Sequence, residues 1–204
     1  MNPSYDARFW NGRYDGADYF YGTAPNDFLV SVAAEIPAGP VLCLAEGEGR
    51  NATFLAGRGH DVTAVDQAEA GLAKARALAQ TRGVPLTAVA ADLSDFAISA
   101  QAWSGIVAIF MHLPPALRRT VLGQAAAGLR PGGVFVMEAY RPAQLGYGTG
   151  GPREVTLLPT LTELRAELGD LEFLLAREIE REVREGGGHT GMAAVVQVLA
   201  RRPA

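Results

Sequence analysis

Cysteine is nearly absent from this sequence, since Cys43 is the only one among 204 residues. A single cysteine excludes an internal disulfide and a cysteine-rich metal site. The three histidines, His60, His112 and His189, do not combine with acidic residues at metal-ligand spacing, so we expect no metal. Cys43 stands in the middle of an apolar run, where we interpret it as buried and unreactive. These features favour a cytoplasmic protein.

Long apolar runs and clusters of basic charge are missing as well. No uninterrupted apolar stretch approaches the roughly 20 residues that span a bilayer, and residues 1–22 contain acids but no apolar signal-peptide core. The formal net charge is −4, and Lys74 is the only lysine, so positive charge comes from scattered arginines. This distribution provides no basic stripe for nucleic acid. We expect a small-molecule partner, no nucleic acid, no membrane, and a monomer or a homodimer.

Apolar patterns of two kinds alternate along the chain. Short apolar runs predict seven strands, at residues 41–44, 62–65, 86–90, 106–110, 134–138, 171–175 and 193–199. Helical patterns fall between them, at residues 26–36, 50–56, 68–80 and 115–129, and a Thr-x-x-Glu capping box predicts a short helix from residue 160. Strands that alternate with helices indicate an α/β fold with a mostly parallel sheet and right-handed crossovers. We expect one domain over residues 1–204, with residues 1–24 as an aromatic cover segment.

The last two strands are predicted to form a hairpin-like pair that makes one sheet edge antiparallel. The polar stretch EREVREGGGHTG at residues 180–191 lies between them and is not expected to be regular throughout. Residues 141–159 form a Gly/Pro-rich loop after the fifth strand. Loops of this length are usually functional, so we expect this loop and the GGGHT segment to gate a substrate.

The first strand runs into the glycine turn LAEGEGRN at residues 44–51. The Gly47-x-Gly49 spacing is typical of a nucleotide-binding turn, which holds a pyrophosphate at a helix N-terminus. Asp66 ends the second strand, at the spacing of a carboxylate that binds ribose hydroxyls. Asp92 follows the third strand, and ligands of open α/β sheets bind at the carboxyl ends of the strands. A ligand that contains ribose is therefore predicted at this edge.

Two carboxylates in the turn, Glu46 and Glu48, argue against a diphosphate. Two unit charges 4 Å apart interact by about 4 kcal/mol at an effective dielectric constant near 20, whereas a helix N-terminus returns about 0.3–1 kcal/mol, up to about 2 in good geometry. S-adenosylmethionine carries a ribose and an adenine without phosphate, and its ammonium and sulfonium groups favour nearby carboxylates. Glu46, nearer the strand end, is the better candidate for the ammonium. The alternative is that both glutamates face solvent.

Seven motifs follow one another along nearly the whole chain: WNGRY at 10–14, YGTAPNDFL at 21–29, LAEGEGRNATFLA at 44–56, AVDQAEAGLAKA at 64–75, AADLSDF at 90–96, IFMHLP at 109–114 and LRPGGVFVMEAY at 129–140. In this order they resemble the class I S-adenosylmethionine-dependent methyltransferases, and they are most similar to the tellurite-resistance and thiopurine S-methyltransferase branch. Family members commonly have Asp at the position of Cys43 and Gly-Cys at the positions of Ala45-Glu46. The geometry of the turn is therefore expected to depart from the family pattern.

The resemblance implies a Rossmann-like, mostly parallel seven-stranded sheet with helices on both faces and an antiparallel edge strand. It also implies cofactor contacts: Ala45, Glu46, Gly47 and Gly49 at the methionine part, Asp66 and Gln67 at the ribose and adenine, Asp92 and Leu93 at the adenine, Phe110 and Met111 at the reactive end, and Trp10, Arg13 and Tyr14 over the methionine carboxylate. Structural alternatives stay open, namely caps for Asp66 and Asp92, core packing for Phe110 and Met111, sheet covering for Trp10, and a solvent position for Arg50.

Four residues are candidates for the acceptor side: His112, Tyr140, Arg141 and His189. His112 is interpreted as orienting or deprotonating a substrate, with a structural histidine as the alternative. His189 is expected to bind an anionic substrate together with Arg141, or else to be an ordinary loop residue. Displacement at a sulfonium needs alignment and exclusion of water more than a strong base.

The function predicted from these features is methyl transfer from S-adenosylmethionine to a small, soft or anionic acceptor, such as a thiol or an oxyanion of selenium or tellurium, with S-adenosylhomocysteine as the other product. Two other functions stay open. One is an NAD(P)-dependent oxidoreductase with the same glycine turn, against which the acidic turn and the absence of a Tyr-x-x-x-Lys pair speak. The other is a non-catalytic protein that binds S-adenosylmethionine.

Overall fold

A computed structural model describes residues 5–204 of the chain. Residues 1–4 of the predicted N-terminal cover segment lie outside this described part. Seven strands form one sheet: β1 (Pro40–Leu44), β2 (Asp61–Asp66), β3 (Thr87–Ala90), β4 (Trp103–Ile109), β5 (Leu129–Tyr140), β6 (Glu172–Glu185) and β7 (His189–Arg201). Their order across the sheet is β3-β2-β1-β4-β5-β7-β6. The expected Rossmann-like, mostly parallel seven-stranded sheet is confirmed.

In the described part of the chain, six α-helices accompany the sheet: α1 (Ala7–Tyr14), α2 (Asp27–Val32), α3 (Arg50–Gly57), α4 (Glu69–Arg82), α5 (Pro115–Gly128) and α6 (Leu161–Glu167). Short 3-10 helices cover Ala33–Glu35, Pro142–Gly146 and Val155–Leu157. The side chain of Asn26 accepts a hydrogen bond from the Leu29 amide at the start of α2. The predicted capping box of Thr160 and Glu163 begins α6. Within residues 5–204, no helix combines the length and apolar character that crossing a membrane requires.

Each face of the sheet carries its own apolar cluster, because alternate residues of a strand point to opposite faces. Leu42 of β1 and Leu122 of α5 belong to one buried cluster. Val41 of β1 and Leu55 of α3 belong to the other. Cys43 lies in this second cluster with no exposed surface, and burial raises the pKa of its thiol. Helices therefore cover both faces, as expected.

The hairpin of β6 and β7 is longer than the sequence pattern predicts. Residues 180–185 continue β6, only residues 186–188 form the turn, and β7 begins at His189. The expectation that residues 180–191 are not regular throughout is confirmed by the turn at 186–188, but the two strands extend further into this stretch than the pattern predicts. β7 supplies the hydrogen-bond partners of β6, and the charged residues of β6 lie along an edge strand. β7 is antiparallel to both β5 and β6, so it lies one position inside the edge.

Candidate active site

A cavity of about 550 Å³ opens at the carboxyl ends of the central strands. β1 pairs with β2 on one side and with β4 on the other. The strand order therefore runs outward from β1 in one direction through β2 and β3, and in the opposite direction from β4 through β5. Ligands of open α/β sheets bind at such a switch point. Most residues predicted to contact the cofactor line this cavity: Trp10, Arg13, Tyr14, Ala45, Glu46, Asp66, Gln67, Asp92, Leu93, Phe110 and Met111. His112 and His189 also line it, whereas Gly47, Gly49, Tyr140 and Arg141 are not among its lining residues.

The residue that follows each of the two central strands, β1 and β4, has a left-handed backbone conformation. Ala45 follows β1 with a φ of +51°, and Phe110 follows β4 nearby with a φ of +54°. Residues other than glycine rarely adopt this region, which costs on the order of 1–3 kcal/mol and persists where the surroundings hold it. The glycine that the resembling family has at position 45 adopts this conformation without strain. Of the three non-glycine residues with positive φ among residues 5–204, these two lie at the edge of the sheet that carries the cavity, whereas Gln101 precedes β4 at the other end.

Glu46 binds the N-terminus of the helix that follows the glycine turn. Its Oε1 accepts hydrogen bonds from the backbone amides of Asn51, at 3.0 Å, and Ala52, at 2.8 Å, in the first turn of α3. A phosphate oxygen takes this position in nucleotide-binding turns. Burial raises the pKa of Glu46 to about 7, although the two amides and Arg50 oppose the rise. The helix terminus is thus already supplied with an anion, and the carboxylate lies where a cation would stabilise its charge.

Glu48 makes a different set of contacts from Glu46. It is only 4% exposed, so the alternative that both glutamates face solvent is wrong. Its Oε1 lies 2.8 Å from Lys74 Nζ, and its Oε2 accepts a hydrogen bond of 3.3 Å from the Tyr21 amide. The only lysine of the chain therefore neutralises Glu48. Of the two carboxylates, Glu46 is the one left without a cationic partner at contact distance among residues 5–204.

Asp66 braces the glycine turn and caps the next helix at the same time. Its Oδ2 accepts from the Gly47 amide and its Oδ1 from the Ala68 amide, both at 2.8 Å. Burial raises the pKa of Asp66. Each carboxylate oxygen accepts more than one hydrogen bond, so this capping role is compatible with binding two hydroxyl groups of a ligand.

The far end of the cavity is formed by polar side chains after β2 and β3. Asp92 Oδ1 accepts a hydrogen bond of 2.8 Å from the Ser94 amide, which is the turn cap proposed as its alternative role. Its second oxygen remains available to a ligand, since a carboxylate has four acceptor sites. Gln67 Nε2 donates to the carbonyl oxygen of Tyr5 at 3.1 Å. Leu93 adds an apolar surface beside them.

Helix α1 covers the glycine turn. The Tyr14 ring stacks on the Trp10 ring at 5.7 Å between centroids. Gly47 has a φ of +63°, and a Cβ atom there would lie 2.7 Å from the Tyr14 hydroxyl oxygen, so only glycine fits under this ring. The Arg13 guanidinium packs on the Phe9 ring at 4.7 Å and donates to the Tyr21 hydroxyl at 3.1 Å. Helix α1 therefore both covers the sheet and lines the cavity.

Four rings form a cluster on the opposite side of the cavity, which we call the aromatic subsite: Phe110, His112, Tyr140 and His189. Phe110 lies 4.6 Å from both Tyr140 and His189 between ring centroids. His112 stacks on Tyr140 at 5.7 Å. His112 Nδ1 lies 3.1 Å from the carbonyl oxygen of Leu157, which ties the end of β4 to the segment 141–159. Gly151, Pro152 and Arg153 of that segment also line the cavity.

His189 contacts a carboxylate that the sequence reasoning did not include. His189 Nδ1 lies 3.4 Å from Glu185 Oε2, which also accepts a hydrogen bond of 2.6 Å from Arg50. Asn26 Nδ2 donates to Glu185 Oε1 at 2.8 Å. Burial opposes the charge on Glu185, but hydrogen bonds from His189, Arg50 and Asn26 outweigh it and lower its pKa to about 2. The solvent interpretation of Arg50 is wrong, because this side chain is buried and bridges to Glu185.

Four predicted site residues are not among those that line the cavity, namely Gly47, Gly49, Tyr140 and Arg141. Arg141 faces β6, with its guanidinium 3.9 Å from Glu178 and 3.6 Å from Glu180, so it does not form the expected anion-binding pair with His189. Gly49 begins α3 with a φ of +86°, and a Cβ atom there would lie 2.5 Å from the Ala75 Cβ. Its role is the close packing of α3 against α4.

Sequence reasoning missed Arg50, Asn26 and Glu185 because their partners are distant in the chain. One local signal was available. Glu185 and His189 flank three glycines, and a tight hairpin across those glycines pairs the two residues directly, as the register of β6 and β7 does.

Comparisons with known proteins agree with this geometry. Residues 41–133 match the family described as "Methyltransferase domain". The carboxy-S-adenosyl-L-methionine synthase of Geobacter metallireducens is 38% identical over 80 residues, which are 38% of this chain. Those residues cover only 33% of that relative's length.

Solved structures share the fold over most of the chain. TehB from Haemophilus influenzae is 22% identical, with a TM-score of 0.73 over 96% of this chain and 66% of that one. A protein described under "Conversion of a Disulfide Bond into a Thioacetal Group during Echinomycin Biosynthesis" is 19% identical, with a TM-score of 0.77 over 97% of this chain and 90% of that one.

The matched residues 41–133 run from β1 into β5, and they include the glycine turn and the carboxylates Glu46, Asp66 and Asp92. The family match thus covers the part of the chain that builds one side of the cavity. Residues 41–133 are thus similar to a methyltransferase domain, and the solved structures show that the fold of such proteins extends over most of this chain.

Proposed function

We propose that this protein transfers the methyl group of S-adenosylmethionine to a small, soft or anionic acceptor, such as a thiol or an oxyanion of selenium or tellurium. One observation carries the proposal. A single cavity of about 550 Å³ joins the carboxylates of the strand ends to the aromatic subsite. Ligand sites of this kind are concave, mostly apolar, and contain a few placed polar groups. The cavity volume favours a small acceptor beside the cofactor.

Four polar groups on the cavity wall match the chemistry of the cofactor. Asp66 suits the ribose hydroxyls, and the second oxygen of Asp92 suits the adenine amino group. Glu46, with a pKa raised to about 7 by burial, suits the ammonium group, whose charge would stabilise the carboxylate. Arg13 has no carboxylate partner among residues 5–204, and its planar fork suits the methionine carboxylate.

The same wall disfavours a dinucleotide. Glu46 already accepts the hydrogen bonds of the α3 terminus, so a diphosphate would have to displace a carboxylate and then lie beside it. Repulsion of this kind is about 4 kcal/mol at 4 Å and an effective dielectric constant near 20. This contact supports S-adenosylmethionine over NAD(P).

The acceptor side combines apolar walls with few charges. Phe110, Met111, Leu113 and Leu117 line this part of the cavity. When bound, the cofactor supplies an electrophilic methyl group on a sulfonium. Transfer from a cation to an anion or a soft nucleophile cancels charge, and an apolar, enclosed site favours that change over water. The residues of the chain align the acceptor and exclude water.

An acceptor screen tests the proposal. Purified protein with S-adenosylmethionine is incubated with thiols, selenite, tellurite, small amines and phenols, and S-adenosylhomocysteine release is measured by chromatography. We expect release with at least one soft acceptor, above the rate without acceptor. Tight cofactor binding without transfer to any acceptor would favour a non-catalytic binding protein. Methylation of only an amine, a protein or RNA would contradict the soft acceptor but not the methyl transfer.

Asp66→Ala provides a binding control for this screen. Hydrogen bonds to a charged acceptor contribute about 1.5–3 kcal/mol each, so the loss of two should weaken S-adenosylmethionine binding by at least tenfold. Circular dichroism should show that the variant stays folded. Calorimetry that finds an unchanged dissociation constant would contradict the assignment of Asp66 to the ribose.

We further propose that residues 1–204 act as one methyltransferase domain, in which the segment before residue 25 covers the cofactor and residues 141–159 border the acceptor. A monomer or homodimer in the cytoplasm, without nucleic-acid or membrane partners, is part of this proposal. One shared sheet, one cysteine and a net charge of −4 support it. Light scattering of the purified protein tests the oligomeric state.

A further inference from the structure

The two histidines of the aromatic subsite are each held in one tautomer by their partner. His112 Nδ1 lies 3.1 Å from the Leu157 carbonyl oxygen, which only accepts hydrogen bonds. His189 Nδ1 lies 3.4 Å from a Glu185 carboxylate oxygen, which also accepts when it is ionised. Nδ1 therefore carries the proton in both rings. In the neutral form of each ring, Nε2 presents a lone pair.

Both imidazoles are neutral near pH 7. Burial lowers the pKa of His112 to about 4, and the Leu157 carbonyl only partly opposes this. Burial also lowers the pKa of His189. The charged groups that face His189 come from three elements: Glu185 of β6 raises its pKa, whereas Arg50 of α3 and Arg13 of α1 lower it. The rings of Tyr21, Phe110 and Tyr140 enclose it.

Among residues 5–204, the Nε2 atoms of both rings have no hydrogen-bond partner. His112 Nε2 is buried without a hydrogen bond, and His189 Nε2 has no hydrogen bond among residues 5–204. Both residues line the cavity. The histidines of the aromatic subsite therefore offer hydrogen-bond acceptors, between apolar rings. A ligand with an S–H or O–H group satisfies these acceptors, whereas the lone pairs repel an anion.

We propose that the acceptor enters as a small neutral molecule with an S–H or O–H group, and that His189 is the general base that removes its proton. This inference rests on the proposed methyl transfer and narrows its substrate class. For a thiol, the S–H bond breaks and its proton goes to His189 Nε2. The sulfur electron pair forms the new S–C bond, the C–S bond of the sulfonium breaks, and S-adenosylhomocysteine keeps that electron pair. The proton then passes from the imidazolium to water.

Glu185 is the positioning residue of this pair. It fixes the Nδ1–H tautomer of His189 and stabilises the imidazolium that forms, as orienting carboxylates do in other general-base pairs. Its own place is fixed from two other parts of the chain, by Arg50 at 2.6 Å and Asn26 at 2.8 Å. Because Glu185 and His189 face each other across the β6–β7 turn, the hairpin sets their geometry.

The first test compares two aromatic thiols of similar size. Phenylmethanethiol is almost wholly neutral near pH 7, whereas 4-nitrobenzenethiol is ionised. Phenol is tested as a neutral acceptor with an O–H group. His189→Gln should lower kcat/KM for phenylmethanethiol by about 10²- to 10⁴-fold, the usual contribution of a general base. The loss with the ionised thiol should be below tenfold. Imidazole added to His189→Ala should restore activity with phenylmethanethiol only.

The matched control is His60→Gln. His60 lies just before β2, at the opposite end of the strands from the cavity. Its substitution should therefore leave the rates with both thiols unchanged. Equal losses with the neutral and the ionised thiol in His189→Gln would overturn the general-base role. Activity confined to ionised acceptors in the wild-type protein would overturn the neutral substrate class.

A second measurement does not depend on turnover. Nitrogen NMR of the imidazoles, with S-adenosylhomocysteine bound at pH 7, should show His189 neutral with its proton on Nδ1. Glu185→Gln should increase the share of the Nε2–H tautomer, and it should shift the acidic limb of the pH–rate profile with phenylmethanethiol to lower pH. A charged or Nε2-protonated His189 in the wild-type protein would overturn the inference. If no acceptor is methylated, the proposed function fails, while the NMR result still decides the state of His189.

Discussion

Glu46 explains, at the scale of single residues, how a nucleotide-type turn can be acidic. Its carboxylate accepts the amide hydrogens that a phosphate would otherwise bind, at 2.8 and 3.0 Å. Glu48 also lines the cavity, but its charge is paired with Lys74. The turn therefore keeps the glycine geometry of a phosphate site while presenting a carboxylate to the cavity. This arrangement favours a cationic ligand group.

Glu46 should make cofactor binding depend on pH. Its pKa of about 7 in the free protein means that it is mostly protonated below pH 7, whereas an ammonium group favours the charged form. Affinity for S-adenosylhomocysteine should therefore fall by up to tenfold per pH unit below about 7, with uptake of a proton on release. Calorimetry between about pH 5.5 and 7.5 measures this, and Glu46→Gln should remove the dependence. Affinity that stays constant over this range in the wild-type protein would contradict the assignment.

The same carboxylate should affect stability with the opposite sign. Its folded pKa, about 7, is raised above the roughly 4.3 of an unfolded glutamate. The contribution of the protonated carboxyl to the free energy of unfolding is fully present below the unfolded pKa, and it is lost as the pH rises through about 7. Glu46→Gln should thus raise the melting temperature of the free protein at pH 8 and change it little at pH 4. The variant would then be more stable and bind cofactor less well.

The β6–β7 hairpin is the element that completes the aromatic subsite. The amide of Gly187 in its turn donates to the Phe20 carbonyl at 3.1 Å, so the turn docks on the segment after α1. His189 follows this turn directly and contacts both Tyr21 and Phe110. The β6–β7 hairpin and the N-terminal cover segment therefore both fix the position of the His189 imidazole.

Gly188→Ala should disturb this docking. A Cβ atom at Gly188 would lie 2.3 Å from Phe20 Cε1 and 2.5 Å from Tyr21 Cε1, so the rings or the turn must move. We expect a loss of about 1–3 kcal/mol in the free energy of unfolding and at least a tenfold loss of kcat, because His189 moves with the turn. Urea denaturation and initial rates measure the two effects.

Gly187→Ala is the matched control for this substitution, since a Cβ atom there meets nothing within 4 Å. It should change stability and kcat little. Equal effects of the two substitutions would mean that the turn, and not its contact with Phe20 and Tyr21, limits the activity.

A buried polar network joins distant parts of the whole molecule. Glu138 of β5 has no exposed surface and binds Arg181 of β6, Asn26 before α2 and Gln197 of β7. Asn26 also binds Glu185, so the network reaches the pair of Glu185 and His189. The sheet edge, the helix α2 and the acceptor side are thus coupled through charges shielded from water.

Arg181→Met should strongly destabilise the fold. The substitution leaves Glu138, buried at 0% exposure, without its cation, and breaking such a pair from one side costs about 3–5 kcal/mol. Arg184→Met is the control, because the Arg184 side chain is 77% exposed in its ion pair with Glu182. Exposed pairs contribute about 0–1 kcal/mol. Similar midpoints of urea denaturation for the two variants would contradict a structural role of the network.

The alternation of strands and helices could be predicted from local sequence patterns, and with it the sheet and the edge that carries the cavity. Strand ends such as Asp66 could be located because the apolar run, the acidic residue and the following helix are all local. The same holds for the capping box at Thr160. The cavity residues Trp10, Arg13 and Tyr14 followed only from the resemblance to the family.

The partners of the charged side chains, in contrast, depend on how distant elements pack together. Arg141 and Arg50 both stand at the end or start of a regular element, yet Arg141 pairs with exposed glutamates of β6, and Arg50 turns inward to Glu185, 135 positions away in sequence. The polar composition of residues 180–185 concealed a strand because the hydrogen bonds that stabilise it come from β7. Burial, which sets the pKa of Glu46 and of both cavity histidines, arises only when distant elements pack together, so no local pattern contains it.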